Sequence, residues 1–139
     1  MKYGILVSGC VLLMTAGVFA AQSNGNAAWV GVWRGELDGQ PSVTLTLAED
    51  TGELGGTVVL GMFGNDNGIV RVIASVPHVL MHPRLEGNTL AFQVKRNTAS
   101  NELVNFAVTL GSSGKARIHC LNCGPDADAP VVELVKAQP

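Results

Sequence analysis

Short runs in which apolar and polar residues alternate dominate this sequence, and the clearest of them lies within residues 29–56. There the run VTLTL at residues 43–47 has a period of two, which is typical of a β-strand with one buried face. Thr51-Gly52 follows, with glycine where a hairpin turn needs a positive φ. The stretch therefore predicts the opening hairpin of an antiparallel sheet, with Trp33 near the start of its first strand.

The same pattern recurs along the chain and predicts eight strands in total, at residues 30–37, 42–48, 55–62, 69–76, 89–95, 104–110, 116–121 and 131–137. Helical periodicity with caps is missing after the N-terminal segment, so little helix is expected. Short strands at regular spacing with mostly short connections indicate a meander. Because closing such a sheet removes its exposed edges, the sequence predicts an all-β, about eight-stranded antiparallel up-and-down β-barrel.

The N-terminal segment has the pattern of a signal peptide. Met1-Lys2 gives a short positive start, residues 5–20 are almost wholly apolar, and small residues occupy the two positions that a signal peptidase reads before Ala21. A retained membrane anchor is the alternative, because the apolar run is nearly long enough to span a bilayer. With cleavage between Ala20 and Ala21, we expect a secreted or periplasmic protein without a membrane span. Its expected parts are a signal peptide, a polar tether and a β-barrel domain, at residues 1–20, 21–28 and 29–139.

Composition argues against several classes of function. The chain has 11 acidic and 9 Lys or Arg residues, a net charge of −2, and no basic stripe that would attract nucleic acid. Its carboxylates cluster at predicted hairpin turns, and its serines lack a Gly-x-Ser-x-Gly context. We therefore expect no nucleic-acid partner, no cofactor and no enzymatic activity.

Gly31-Val32-Trp33 resembles the Gly-x-Trp signature of lipocalins. The wider spacing is similar to lipocalin-like (calycin-type) β-barrel domains of secreted bacterial proteins of unassigned function. The resemblance implies structural roles for Gly31 and Trp33, with the tryptophan closing the barrel floor beneath a basic residue from a late strand. Arg117 and Lys136 are the two candidates for that residue. A Thr-Asp-Tyr-like loop motif and a terminal helix are missing, and the resemblance implies no binding residue.

Cys120 and Cys123 form a C-x-x-C motif with three interpretations. An exported location favours a structural disulfide. A redox pair normally sits at a helix N-terminus, whereas a Gly-Pro pair follows this motif. The third interpretation is a zinc site in which His78 and His82 join the two cysteines as tetrahedral ligands.

Residues 77–83 carry an apolar triplet, Val79, Leu80 and Met81, between Pro77 and Pro83. The flanking prolines predict an irregular loop at the barrel rim rather than a strand within the sheet. An apolar triplet in such a loop would cap the barrel mouth or dock on a partner, so these three residues are the candidate binding residues.

The predicted function is a non-catalytic binding or accessory module for a small hydrophobic ligand or an envelope protein. A structural envelope protein with a filled barrel and a zinc-binding protein are the alternatives. An eight-stranded barrel is either filled by side chains or holds one small molecule. Most residues expected to point inward are medium or large and favour filling, whereas small residues would leave room, namely Gly55, Gly56, Gly61 and Ala116.

Overall fold

The computed structural model describes residues 25–123 and 130–139, and in these residues the chain is all-β. The predicted signal peptide, the first half of the predicted tether and the Gly-Pro pair after Cys123 lie outside the described residues. Among the residues that are described, no helix is long and apolar enough to cross a membrane.

Within the described residues, nine antiparallel strands follow one short 3-10 helix, Gly25–Ala28. The strands are β1 Gly31–Leu37, β2 Gln40–Asp50, β3 Glu53–Asp66, β4 Ile69–Val79, β5 Met81–Glu86, β6 Thr89–Lys95, β7 Leu103–Leu110, β8 Lys115–Cys120 and β9 Val132–Lys136. Their order across the single sheet is β4-β3-β2-β1-β9-β8-β7-β6-β5. The last strand therefore pairs with the first, and β4 and β5 form the two ends of the sheet.

A single residue, Leu80, joins the two end strands, so the sheet curls into a half-barrel that brings its ends together. All neighbouring strands are antiparallel, and the two ends of a nine-stranded order consequently run in the same direction. β4 and β5 thus act as one long strand interrupted at Leu80, and the chain runs eight times between the two ends of the half-barrel. This division explains why there are nine strands where the sequence predicted about eight.

The rim loop predicted for residues 77–83 is wrong, because both of its prolines lie within strands. The N–H of Leu80 donates to the carbonyl of Gly56 in β3 at 3.0 Å. Backbone groups of successive residues in a strand point in opposite directions, so Pro77, three residues before Leu80, points its backbone nitrogen away from β3. Pro83 lies in the register shift between Met81 and Arg84. Edges and bulges are the positions in a sheet that tolerate proline.

One continuous hydrophobic core fills the inside of the half-barrel. The alternation predicted for β2 and β6 is confirmed, because the residues with inward parity are buried while their neighbours are more exposed. Leu45, Val58, Leu90 and Val108 have 0% exposure, and each belongs to a different strand. The buried side chains form a single cluster, so the interior is packed with side chains.

The two ends of the half-barrel have different structures. We call one end the floor: it carries the 3-10 helix, whose Asn26 donates a hydrogen bond of 2.9 Å to the carbonyl of Gly52 in the β2–β3 turn. The segment expected to be a polar tether thus contains an element that contacts the sheet. We call the other end the mouth: it carries the β1–β2 turn, the β3–β4 hairpin, and the loops that follow β6 and β8.

The β3–β4 hairpin is longer than predicted and projects at the mouth. The loop expected at residues 63–68 is reduced to the turn Asn67-Gly68, because β3 continues to Asp66. Beyond Leu60, β3 pairs with β4 but has no partner in β2. We call this two-stranded part, residues 61–75, the ribbon. A bidentate contact ties it to β2, because Gln40 donates to the Val70 carbonyl at 2.9 Å and accepts from the Val72 N–H at 2.7 Å.

Candidate functional site

Trp33 lies in the core near the floor, with 1% of its surface exposed. Its Nε1 donates a buried hydrogen bond of 2.8 Å to the carbonyl of Trp29. Lys136 lies opposite Trp33 in the β1–β9 ladder and holds its Nζ 5.5 Å from the ring centroid. The same Nζ donates to the carbonyl of Ala28 at 3.2 Å and so joins the late strand to the 3-10 helix. Of the two basic residues considered, Lys136 therefore covers the tryptophan.

Gly31 permits the close approach of this lysine. A Cβ at position 31 would lie 2.8 Å from Cε of Lys136, and Gly31 has a φ of 133°, which side chains rarely adopt. The Gly-x-Trp segment, together with Lys136, thus packs the floor of the half-barrel. These residues face the protein's own backbone rather than an open ligand site.

The interior offers little room for a ligand. A cavity of about 170 Å³ lies at the mouth, between apolar residues that include Val43, Leu60 and Phe106 and the pair Cys120 and Cys123. Small-molecule sites in proteins usually have volumes of about 300–1,000 Å³. The cavity at the end of the core is smaller than that range.

Cys120 and Cys123 lie at disulfide distance at the mouth, with their Cα atoms 5.7 Å apart. Between them, Asn122 accepts a hydrogen bond from the Asn105 N–H at 2.6 Å and donates one to the Leu103 carbonyl at 3.3 Å. The motif is therefore a tight turn fastened to β7. A cysteine pair at this distance is compatible with an oxidising compartment.

The four candidate zinc ligands do not meet at one place. His78 faces a groove at the mouth, whereas His82 lies in β5 with its Nδ1 2.9 Å from Oε1 of Gln93. Cys120 and Cys123 lie at disulfide distance from each other. Within residues 25–123 and 130–139, no group of three or more His, Cys, Asp or Glu side chains is placed to hold a metal ion.

A groove of about 570 Å³ opens at the mouth, where β4 separates from β6. β5 pairs with β6 only from Met81 onward, opposite Gln93. The preceding residues of β4 therefore diverge from the end of β6. We call this space the mouth groove. It is lined by Met62, Val76, Pro77, His78, Val79, Met81, Lys95, Arg96, Asn97 and Thr98.

One wall of the mouth groove continues the inner face of the half-barrel. Val58 and Leu60 of β3 lie opposite His78 and Val76 of β4, and directly opposed residues share a face of a sheet. Val58 is fully buried, whereas His78 and Val76 are only half-buried and Met62 is 52% exposed. The inner face thus extends beyond the packed core, and the mouth groove is its open end.

The opposite wall of the mouth groove is basic. It consists of the end of β6 and the loop after it, with Lys95 and Arg96 as consecutive residues. Arg96 Nε forms a salt bridge with a Glu102 carboxylate oxygen at 2.9 Å, and the Arg96 backbone N–H donates to the Glu102 carbonyl at 3.0 Å, which fixes the loop against the start of β7. The groove lining described above contains two basic residues and no Asp or Glu, although acidic residues predominate in the whole chain.

The three candidate binding residues have different positions. Val79 and Met81 line the mouth groove, whereas Leu80 is 7% exposed and packs in the core. Sequence reasoning missed Lys95 and Arg96. The basic pair at the end of a predicted strand was a visible signal, but pairing across the sheet decides which apolar residues it faces.

No family model, curated protein or solved structure matches this chain. The lipocalin resemblance therefore rests on the Gly-x-Trp segment and the strand spacing.

Proposed function

We propose that this protein is an exported, lipocalin-like binding module without catalytic activity, and that it holds an apolar ligand in the mouth groove. The observation that carries the proposal is the contrast between the two apolar spaces. The interior is packed with side chains, whereas the groove that continues its inner face is open and about 570 Å³ in volume. That volume lies within the usual range of small-molecule sites.

Two further observations support the exported and lipocalin-like parts of the proposal. The signal-peptide pattern of residues 1–20 and the cysteine pair at disulfide distance both fit an oxidising compartment outside the cytoplasm. The up-and-down order of the strands, with Lys136 over Trp33, fits the arrangement that the lipocalin resemblance implies.

A neutral hydrophobic dye, Nile red, tests the location of the site. We expect saturable binding to the folded protein with one dye per chain, measured by fluorescence titration. Val76→Asp should weaken binding at least about tenfold, because a carboxylate placed against an apolar ligand costs more than the 1.4 kcal/mol that a factor of ten requires. Ile73→Asp is the matched control: Ile73 is in the same strand, is 67% exposed and lies outside the groove lining. Equal dye affinity in both variants would contradict the proposal.

A second candidate function is supported by the apolar surface of the ribbon. Its exposed large side chains are Met62, Phe63, Ile69, Val70 and Ile73. Several exposed large apolar side chains on one projecting element often mark a protein interface. If the ribbon docks on an envelope protein, capture of that protein from an envelope extract should be lost in Ile73→Asp and kept in Val76→Asp. The opposite pattern would favour the mouth groove.

A further inference from the structure

The mouth groove joins two chemically different walls. Its apolar side includes Val76 on the inner face of β4, and Val79 and Met81 around the junction of β4 with β5, whereas its basic wall carries Lys95 and Arg96. A purely apolar ligand would contact the first wall and leave the second without a partner. A molecule with an apolar chain and a negatively charged head would contact both.

The basic wall has free donors for such a headgroup. Lys95 is exposed, and its ammonium makes no salt bridge within the described part of the chain. Arg96 engages Glu102 through Nε, which leaves the two terminal nitrogens of the guanidinium as donors. The side-chain oxygen of Asn97 accepts from the Ala99 N–H at 3.0 Å, so its NH₂ group remains available as a further donor. These groups together can surround an anion with several donors.

The edge of β4 beside the groove disfavours an extended peptide as the ligand. The backbone N–H of Leu80 is hydrogen-bonded to β3. Residues at odd spacing from Leu80, Pro77 and Val79 of β4, therefore point their backbone groups away from β3, toward the open edge. A docked β-strand would accept hydrogen bonds from the backbone N–H groups that face the open edge, and Pro77 has no backbone N–H. Proline at an edge is a common device against strand addition. The geometry therefore favours a small molecule over a β-strand.

We propose that the mouth groove selects single-chain amphiphiles with an anionic headgroup. The apolar chain lies along Val76, Val79 and Met81, and the headgroup binds at Lys95 and Arg96. This inference rests on the proposed function, because it assigns a ligand class to the same groove.

Competition with bound Nile red tests the selectivity, using twelve-carbon amphiphiles below their micellar concentrations. Dodecanoate and dodecyl phosphate should displace the dye at concentrations at least about tenfold lower than dodecyl maltoside or dodecyltrimethylammonium. A tenfold difference corresponds to about 1.4 kcal/mol, which is about the contribution of one close charge pair. Acetate and inorganic phosphate should not displace it, because they lack the chain. Added salt should reduce the preference, because an exposed charge pair is screened.

Lys95→Gln should lower the preference for the anionic amphiphiles at least about threefold. The preference is the ratio of displacing concentrations of dodecyl maltoside and dodecanoate within one variant, so any change in Nile red affinity cancels. Lys115→Gln, which removes an exposed lysine near the floor, is the matched control and should leave the preference intact. If Nile red binds at the groove but the headgroup charge has no effect, or if both lysine variants behave alike, this inference is wrong and the proposed function stands. If Nile red does not bind at all, the proposed function itself fails.

Discussion

Trp33→Ala should lower the free energy of unfolding by about 3–5 kcal/mol, as expected for truncation of a buried large aromatic. The side chain is 1% exposed, contacts the Trp29 ring with centroids 6.1 Å apart, and lies beneath Lys136. Its loss would leave a cavity where β1, β9 and the 3-10 helix meet. The Trp29 carbonyl would also lose the buried hydrogen bond from Nε1.

Urea denaturation followed by circular dichroism measures this loss. Trp33→Phe keeps most of the ring volume but removes the donor, so it should cost less, about 1–3 kcal/mol for an unsatisfied buried carbonyl. Lys136→Met keeps the aliphatic chain and removes the charge over the ring, which is worth about 0.5–2 kcal/mol. A loss below about 1 kcal/mol for Trp33→Ala would contradict the role of Trp33 in packing the floor.

Gly56→Ala should also destabilise the protein strongly, because position 56 has no space for a side chain. A Cβ built there would overlap the carbonyl oxygen of Thr46 in the neighbouring strand, and Gly56 has a φ of 155°. Overpacking costs about 1–3 kcal/mol, and a backbone conformation that suits only glycine adds about 1–3 kcal/mol.

Gly55→Ala is the matched control for this prediction. The two glycines are adjacent in β3, but a Cβ at Gly55 meets nothing within 4 Å. Urea denaturation should therefore show a change of about 0.5 kcal/mol or less for Gly55→Ala, as for a surface substitution. Similar losses for the two variants would show that close approach of β2 does not explain Gly56.

The expectation that Gly56 leaves room inside the barrel is wrong, since the glycine lets the Thr46 carbonyl approach closely. Local pattern predicted the strands well: β6 has the bounds expected from its alternation, and its inward residues are buried. It predicted β5 poorly, because Pro77 and Pro83 suggested a loop. Only the pairing of strands shows that one proline lies at an edge and the other in a bulge.

The candidate site also depends on strand pairing, which local sequence pattern does not predict. The Gly-x-Trp segment identified Trp33, but the β1–β9 register decides that Lys136 rather than Arg117 covers it. The mouth groove combines the second half of β4 with the end of β6, and these segments are separated by a turn and a strand. No local spacing relates Val76 to Lys95. Sequence therefore predicted the all-β, antiparallel class, whereas the groove follows only from the three-dimensional arrangement.

Methyl-resolved NMR during titration with Nile red tests the central claim most directly, because it reports separately on the groove and on the interior. We predict saturable shifts of the Val76, Val79 and Met81 methyl resonances, which line the mouth groove. The Leu45, Val58 and Leu90 methyl groups, which are fully buried in the core, should remain unchanged. Saturable shifts of the core methyl groups without shifts in the groove would show that the ligand enters the core of the half-barrel and would contradict the proposed site.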